Sequence, residues 1–197
     1  MLTRSKKISA IILAGGLATR MDNQDKGLIR LGERVLVEWV RANIAPQVDE
    51  IVISANRNLD VYGGLGLPVV SDILYIGYGP LAGVYNGLKK VSGPLVLIVP
   101  CDTPFLPNDL VRRLQAQLDS GYEIAVPVVA QQTQNAICLF DINLSGRLAE
   151  FLDAGHRKMA DWQASLNRVL VPFHDANAFL NINNNNNLRE AQQLLGT

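Results

Sequence analysis

The segment Leu13-Ala14-Gly15-Gly16-Leu17-Ala18-Thr19-Arg20-Met21, followed by Asp25-Lys26-Gly27, carries the residue types that handle phosphate. An apolar run, Ile8 to Leu13, opens into two adjacent glycines, and an arginine and a lysine follow. Glycines at the end of a buried strand leave backbone N–H groups open to a ligand, because no side chain blocks the approach. Phosphate oxygens suit such donors, and Arg20 and Lys26 can neutralise them from the sides. These residues point to a nucleotide held by its phosphates. Two other phosphate loops are excluded: Lys26 lies ten residues beyond Gly16, so there is no Walker A spacing, and there is no GxGxxG.

Carboxylates supply the second half of the chemistry. The run Val96-Leu97-Ile98-Val99-Pro100-Cys101-Asp102 drives an aspartate to the end of a buried strand. A hard divalent cation such as Mg2+ takes one or two carboxylates and completes its shell with phosphate oxygens. Asp102 is therefore the candidate metal ligand. Asp72 ends an earlier apolar run and has three readings: it joins the metal site, contacts a base or ribose, or caps its loop. His156 and His174 lack metal-ligand spacing, and no nucleophile elbow supports a Ser–His–Asp site.

These residues need a scaffold that brings strand ends together. Strand-like runs recur at 8–13, 51–55, 68–71, 95–100, 123–129 and 136–140, with helical patterns between most of them. Leu36, Trp39, Val40 and Ile44 share one helical face. Pro80 suits the first position of a helix carrying Leu81, Val84, Tyr85 and Leu88. Asn108 or Asp109 starts a third helix, lined by Leu110, Val111, Leu114 and Leu118. Alternating strands and helices imply βαβ units and a mostly parallel sheet. The runs at 123–129 and 136–140 are too close for a helical crossover and predict a hairpin or antiparallel strand pair. Helical stretches at 145–154 and 158–167 and a strand at 168–173 follow. The run Asn181 to Asn187 reads as a polar loop capping a last helix. The expected fold is a single-domain, Rossmann-like three-layer α/β sandwich over 1–197, with the antiparallel pair in its C-terminal half. In such a sheet ligands bind beyond the carboxyl ends of the strands. Here those ends carry the glycine loop, Ser54-Ala55-Asn56-Arg57, Asp72 and Asp102-Thr103-Pro104.

Composition narrows the partners. Eighteen Lys and Arg balance eighteen Asp and Glu, and 48% of the 197 residues are hydrophobic. A neutral chain is a poor fit to nucleic acid or an anionic membrane surface. No apolar run approaches the roughly 20 residues that span a bilayer. Met1 to Lys7 leads into a short first strand and does not read as a secretory signal, so a cytoplasmic location is expected. Cys101 and Cys138 read as small buried hydrophobes in a reducing compartment.

The pattern L-A-G-G-x-x-x-R-M with D-K-G resembles the signature of sugar-nucleotide-type nucleotidyltransferases. Four more segments extend the resemblance to the molybdenum cofactor guanylyltransferases, the MobA family. They are Ser54-Ala55-Asn56-Arg57, Gly79-Pro80-Leu81-Ala82-Gly83, Pro100-Cys101-Asp102-Thr103-Pro104 and Phe179-Leu180-Asn181-Ile182-Asn183. The resemblance implies transfer of GMP from GTP to the terminal phosphate of molybdenum-carrying molybdopterin, with release of pyrophosphate. It implies that Leu13, Ala14 and Gly15 hold the nucleotide near its base and ribose, with Ser54 also on the nucleotide. Gly16, Arg20 and Lys26 would handle the phosphates, Asp72 the guanosine portion, and Asp102 a Mg2+ ion. Asn181 and Asn183 would face molybdopterin, with Arg157 or Lys158 nearby. Residues 1–105 would form the nucleotide half and 106–197 the acceptor half. Transient contacts with molybdenum-insertion and cofactor-delivery proteins are the expected macromolecular partnerships. Asp22-Asn23, Ser54, Gln134-Asn135 and Asn184-Asn185 depart from the residues common in that family. Two other readings compete: a cytidylyl- or sugar-1-phosphate nucleotidyltransferase, and a non-catalytic nucleotide-binding regulator.

Overall fold

Alternation along the first strand, β1 (Ile8–Leu13), feeds two separate cores: Ile8, Ala10 and Ile12 enter one, Ile11 and Leu13 the other. A strand buried on both faces must be continuously apolar, which is why periodicity alone is faint here. The computed structural model describes residues 6–14 and 24–196. After β1 come a small hairpin, β2 (Arg30–Leu31) and β3 (Arg34–Val35), then α1 (Leu36–Ile44), β4 (Glu50–Ser54), α2 (Leu59–Gly63) and β5 (Val69–Val70). The chain continues through α3 (Pro80–Leu88), β6 (Leu95–Pro100), α4 (Leu110–Leu118), β7 (Ile124–Val129), β8 (Gln132–Thr133) and β9 (Cys138–Asp141). It ends in α5 (Ser145–Asp153), α6 (Met159–Ala164), β10 (Arg168–Phe173) and α7 (Asn185–Leu195).

Among the described residues the main sheet has eight strands in the order β10-β7-β9-β6-β1-β4-β5, with β8 paired to β7. β1 runs parallel to both β4 and β6, and β10 runs parallel to β7. Only β9 and β8 run against their neighbours. Val37, Val40 and Ile44 of α1 and Leu110, Val111 and Leu114 of α4 fill the core on one face. Leu81, Val84 and Leu88 of α3, Leu148 and Leu152 of α5, and Met159 and Trp162 of α6 fill the other. The three layers follow from that division. Each fully buried Leu, Ile or Val is worth roughly 1.5–3 kcal/mol relative to exposure, so these two cores, not the rim contacts, carry the stability.

The strands expected at 8–13, 95–100 and 168–173 form over those residues. The run at 68–71 shortens to Val69–Val70, because Pro68 has no N–H to offer a ladder. The helix expected over 158–167 stops at Ala164, where Ser165 Oγ turns back to the Trp162 carbonyl. The antiparallel pair is present but more elaborate than expected. β7 turns through Ala130 and Gln131, both at positive φ, into β8, and only then does β9 return between β6 and β7. Two positive φ values in a two-residue loop match the twist of a tight hairpin.

The asparagine run behaves as a cap. Asn184 Oδ1 accepts from the backbone N–H of Asn186 and Asn187, and Asn185–Asn187 form the first turn of α7. That helix docks on the small hairpin through Ala191, Leu188 and Leu195, beside Ile29, Leu31, Leu36 and Ile182. The docking carries Asn181 and Asn183 to the carboxyl end of the central strands.

Candidate active site

From β1 the chain moves outward to β4 and β5, then returns to place β6 on the other flank of β1. The strand order thus reverses between β1 and β6, and in open α/β sheets ligands bind beyond the carboxyl ends at such a reversal, the switch point of the sheet. A cavity of about 470 Å³ lies there, lined by Leu13, Lys26, Ser54, Asn56, Asp72 and Asp102 together with Gly79, Gly83 and Ala136. Backbone bonds fix its rim: Cys101 N–H donates to Leu13 O at 3.0 Å, and Ala14 N–H to Ser54 O at 2.7 Å.

Lys26 is the centre of the polar chemistry. Its Nζ donates to Asp102 Oδ2 at 3.2 Å and also to Asn183 Oδ1. The side chains of Lys26 and Asp102 are 20% and 13% exposed, enough for a ligand to reach them and too little for free hydration. The backbone N–H of the preceding residue, Ile182, donates to Asp102 O at 2.9 Å, and Thr103 Oγ1 donates to Asn181 Oδ1 at 2.5 Å. The late asparagine segment is thus laced directly onto the strand end that carries Asp102.

Lys26 is held from behind by Asp25. This buried carboxylate accepts from Gly27 N–H at 3.2 Å, Asn58 Nδ2 at 3.0 Å and Tyr62 Oη at 2.5 Å. Burial, then the bond to Asp25, pushes the Tyr62 phenol well above its ordinary range, so it stays a donor. Gly27 is required by the same packing: a Cβ there would sit 2.4 Å from Tyr62 Oη. On the opposite wall, Gly83 lets α3 approach the strand ends, since a Cβ would lie 2.6 Å from Ser54 Oγ and 3.2 Å from Leu13 Cδ2.

At the far side Asp72 is paired with Asn56. Asn56 Nδ2 donates to Asp72 Oδ2 at 2.7 Å, and Asp72 N–H donates to Asn56 Oδ1 at 2.8 Å. The other carboxylate oxygen, Oδ1, is buried without a hydrogen-bond partner. Burial raises the pKa of Asp72, and the bond from Asn56 partly offsets that.

Leu13, Lys26, Ser54, Asp72 and Asp102 therefore converge on one cavity, with Asn183 reaching it through Lys26, whereas Asn181 is bonded to Thr103, the neighbour of Asp102, and does not line it. Ala14 is buried in the core below. Arg157 stands apart, its guanidinium 4.1 Å above the Tyr78 ring on the loop between β5 and α3. Gly15, Gly16 and Arg20 lie outside the described residues. No group of three or more His, Cys, Asp or Glu is gathered for a metal among the described residues. The donor set fits a cation that takes one carboxylate from the protein and the rest of its shell from phosphate and water. Cys101 and Cys138 are free and buried, and burial pushes the Cys138 thiol up to about 12.

A MobA-like NTP transferase domain model matches residues 10–169, the span that contains every cavity-lining side chain. The chain belongs to this family. A molybdenum cofactor guanylyltransferase of Burkholderia lata is 46% identical over 189 residues, covering 91% of this chain and 92% of the relative. Its counterpart in Shewanella piezotolerans is 42% identical over 178 residues, covering 89% and 87%. Among solved structures, molybdopterin-guanine dinucleotide biosynthesis protein A of Archaeoglobus fulgidus superposes with a TM-score of 0.76 at 19% identity, covering 95% of this chain and 98% of that one. The 4-diphosphocytidyl-2C-methyl-D-erythritol synthase of Anaerococcus prevotii gives 0.75 at 16% identity, covering 98% and 100%. These two solved structures share the MobA-like fold. No helix among the described residues is long and apolar enough to cross a membrane.

Sequence reasoning named Asn56 only within the strand-end segment 54–57, with no role of its own, and did not name Asn58 or Tyr62. Asn56 and Asn58 lie in the polar stretch after an apolar strand, which flags a loop but not its partners. Tyr62 sits on a helix of five residues, too short for a periodic signal.

Proposed function

We propose that this chain transfers GMP from GTP to the terminal phosphate of molybdenum-carrying molybdopterin, giving molybdopterin guanine dinucleotide and pyrophosphate. One observation carries the reading: Lys26, at the switch point of the sheet, is bonded at once to Asp102 from the first half and Asn183 from the second. A cation shared in this way sits where a triphosphate and an acceptor phosphate would meet. On this reading 1–105 supplies the nucleotide half and 106–197 the acceptor half.

An oxygen of the acceptor phosphate attacks the α-phosphorus of GTP in line. The bond to the α-phosphorus forms as its bond to the bridging oxygen of pyrophosphate breaks. Bringing two anions together makes positioning and charge stabilisation the main demands. Lys26 stabilises charge developing on the leaving pyrophosphate, from a site already ordered by Asp25, so little reorganisation is needed. Asp102 would hold a Mg2+ ion, which when bound screens the negative charge of the phosphate oxygens. The attacking phosphate is already ionised, so no general base is required. The described residues lining the cavity accordingly include no histidine. Asp72 meets the guanosine portion, and Asn181 and Asn183 the molybdopterin side; Arg157, held on Tyr78, is assigned to the acceptor as well. A cytoplasmic setting, with transient contacts to molybdenum-insertion and cofactor-delivery proteins, belongs to the same proposal.

The cytidylyl reading keeps one specific support, since a diphosphocytidyl-erythritol synthase shares the fold. Pyrophosphate release measured with each nucleoside triphosphate and molybdopterin decides between them. GTP is expected to be used, and a preference for CTP overturns the guanylyl assignment. Tight GTP binding with no release would identify a carrier instead.

A further inference from the structure

The segment that follows β4 reaches both ends of the cavity. Asn56 grips Asp72 by two hydrogen bonds, one to Oδ2 and one from the backbone N–H. Two residues later Asn58 donates to Oδ2 of Asp25, the residue that precedes Lys26. Asn58 does so at φ 50°, a left-handed conformation that asparagine tolerates better than most residues. Asn56 also lines the cavity, and Asn58 does not.

The Asn56 clamp decides which acceptor Asp72 offers. It occupies Oδ2 and leaves Oδ1 buried and unpartnered. A buried acceptor without a donor is costly, so a ligand that brings an N–H or O–H to it is favoured. A base edge with N–H donors and a ribose hydroxyl both supply that chemistry. At the other end, Asn58 and Tyr62 together hold Asp25, and Gly27 N–H closes the turn that aims Lys26.

We propose that Asn56 and Asn58 are positioning residues with separate outputs. Asn56 acts through Asp72 on recognition of the nucleoside, and Asn58 acts through Asp25 on placement of Lys26 at the phosphates. This proposal rests on the reading of the cavity as a GTP site. One short segment then sets both ends of the nucleotide, yet its two amides fail differently when removed.

The test uses the full chain with Mg2+ and titrates GTP, ITP and dGTP into wild type, Asn56→Ala, Asn58→Gly and the double variant Asn56→Asp/Asp72→Asn. ITP lacks the 2-amino group and dGTP the 2′-hydroxyl, so the two analogues separate base from ribose. Steady-state pyrophosphate release and thermal unfolding accompany the titrations. Asn56→Ala is expected to weaken GTP binding about tenfold, as loss of a bond that orders a charged acceptor does, and to flatten the preference for GTP over ITP or over dGTP. Its kcat changes little. Asn58→Gly, which suits the left-handed backbone, is expected to keep the preference and lower kcat about tenfold, the loss of one well-placed charge contact. The double variant restores an amide–carboxylate pair with the charge on the wrong partner. Thermal stability is expected to recover; the amide oxygen then left free at position 72 is a neutral, weaker acceptor, so the preference returns only in part and GTP affinity stays below wild type, which a merely structural Asn56 would not produce. An unchanged preference in Asn56→Ala, no return of preference or a wild-type GTP affinity in the double variant, or a preference change in Asn58→Gly overturns the proposal alone. A folded wild type that binds no GTP overturns this proposal and the GTP reading together.

Discussion

The two ends of the central sheet use the same chemical groups and reach opposite results. At the amino end Glu50 accepts from Ser9 Oγ, from Ser92 Oγ at 3.1 Å, from the backbone N–H of Ser92 and, at 3.2 Å, from that of Gly93. Lys7 completes the cluster with an ion pair at 3.5 Å. Gly93 brings the chain close enough for this, since a Cβ there would lie 2.5 Å from Ser9 Oγ. At the carboxyl end Asp72 keeps an unpartnered oxygen, and Lys26 stands at the wall of a cavity of about 470 Å³. A carboxylate beside a lysine is thus no mark of a site. What separates the two ends is bonding capacity left unused in a residue that lines an open volume.

The strongest way to break this comparison is to remove the charges at the open end. Lys26→Ala and Asp102→Ala are each expected to lower turnover on the order of a hundredfold or more, the usual cost of losing a preorganised charge stabiliser. Pyrophosphate release measures it. Near wild-type rates in both variants would mean that the carboxyl end is as inert as the amino end.

A smaller effect is expected from the packing behind Lys26. Gly27→Ala forces a methyl group against Tyr62 Oη, 2.4 Å away, and so against the bond that fixes Asp25. Overpacking of this kind costs about 1–3 kcal/mol. Tyr62→Phe removes the atom that the methyl group strikes, so the double variant should be less destabilised than the sum of the single ones. Urea unfolding of the four proteins reads the coupling. Strict additivity would show that Gly27 and Tyr62 do not constrain one another.

Local pattern was enough for most of the scaffold, and not for the contacts that close the site. β6 follows from an apolar run of six residues, β1 from one broken only by Ser9, β10 from the apolar stretch behind Arg168, and α3 from Pro80 after Gly79. Asp102 and Asp72 stand out because a carboxylate at the end of a buried strand is rare without a reason. By contrast, the bond between Lys26 and Asn183 joins residues 157 positions apart, and the one between Asn56 and Asp72 spans 16. Neither leaves a periodic trace. The β2–β3 hairpin is two residues per strand and is stabilised by α7, which arrives from the far end of the chain. Resemblance to a family supplied Asn181 and Asn183 where spacing could not. It also placed Arg157 with them, whereas the structure stacks that guanidinium on Tyr78.

The amino end offers the smallest and sharpest contrast, through pH. Burial pushes the Glu50 carboxyl up, but the hydroxyl and backbone donors of Ser9, Ser92 and Gly93 outweigh it and bring the group from its ordinary 4.5 down to about 2. A depressed carboxylate pKa stabilises the fold fully above the unfolded value, and that contribution fades as pH falls from about 4.5 toward 2. Ser9→Ala removes the largest of the lowering contacts, so the folded pKa of Glu50 moves back up. The variant should be less stable than wild type by about 1 kcal/mol at neutral pH, the typical worth of such a bond. The gap should narrow below pH 4.5, because protonation of Glu50 takes the same interaction from wild type. Turnover should be unchanged, since Ser9 lies at the opposite end of β1 from Leu13 and the cavity. Urea unfolding from pH 7 to pH 3 measures the gap. A gap that stays constant with pH would show that Ser9 packs without tuning Glu50, and a fall in turnover would show that the two ends of the sheet are coupled.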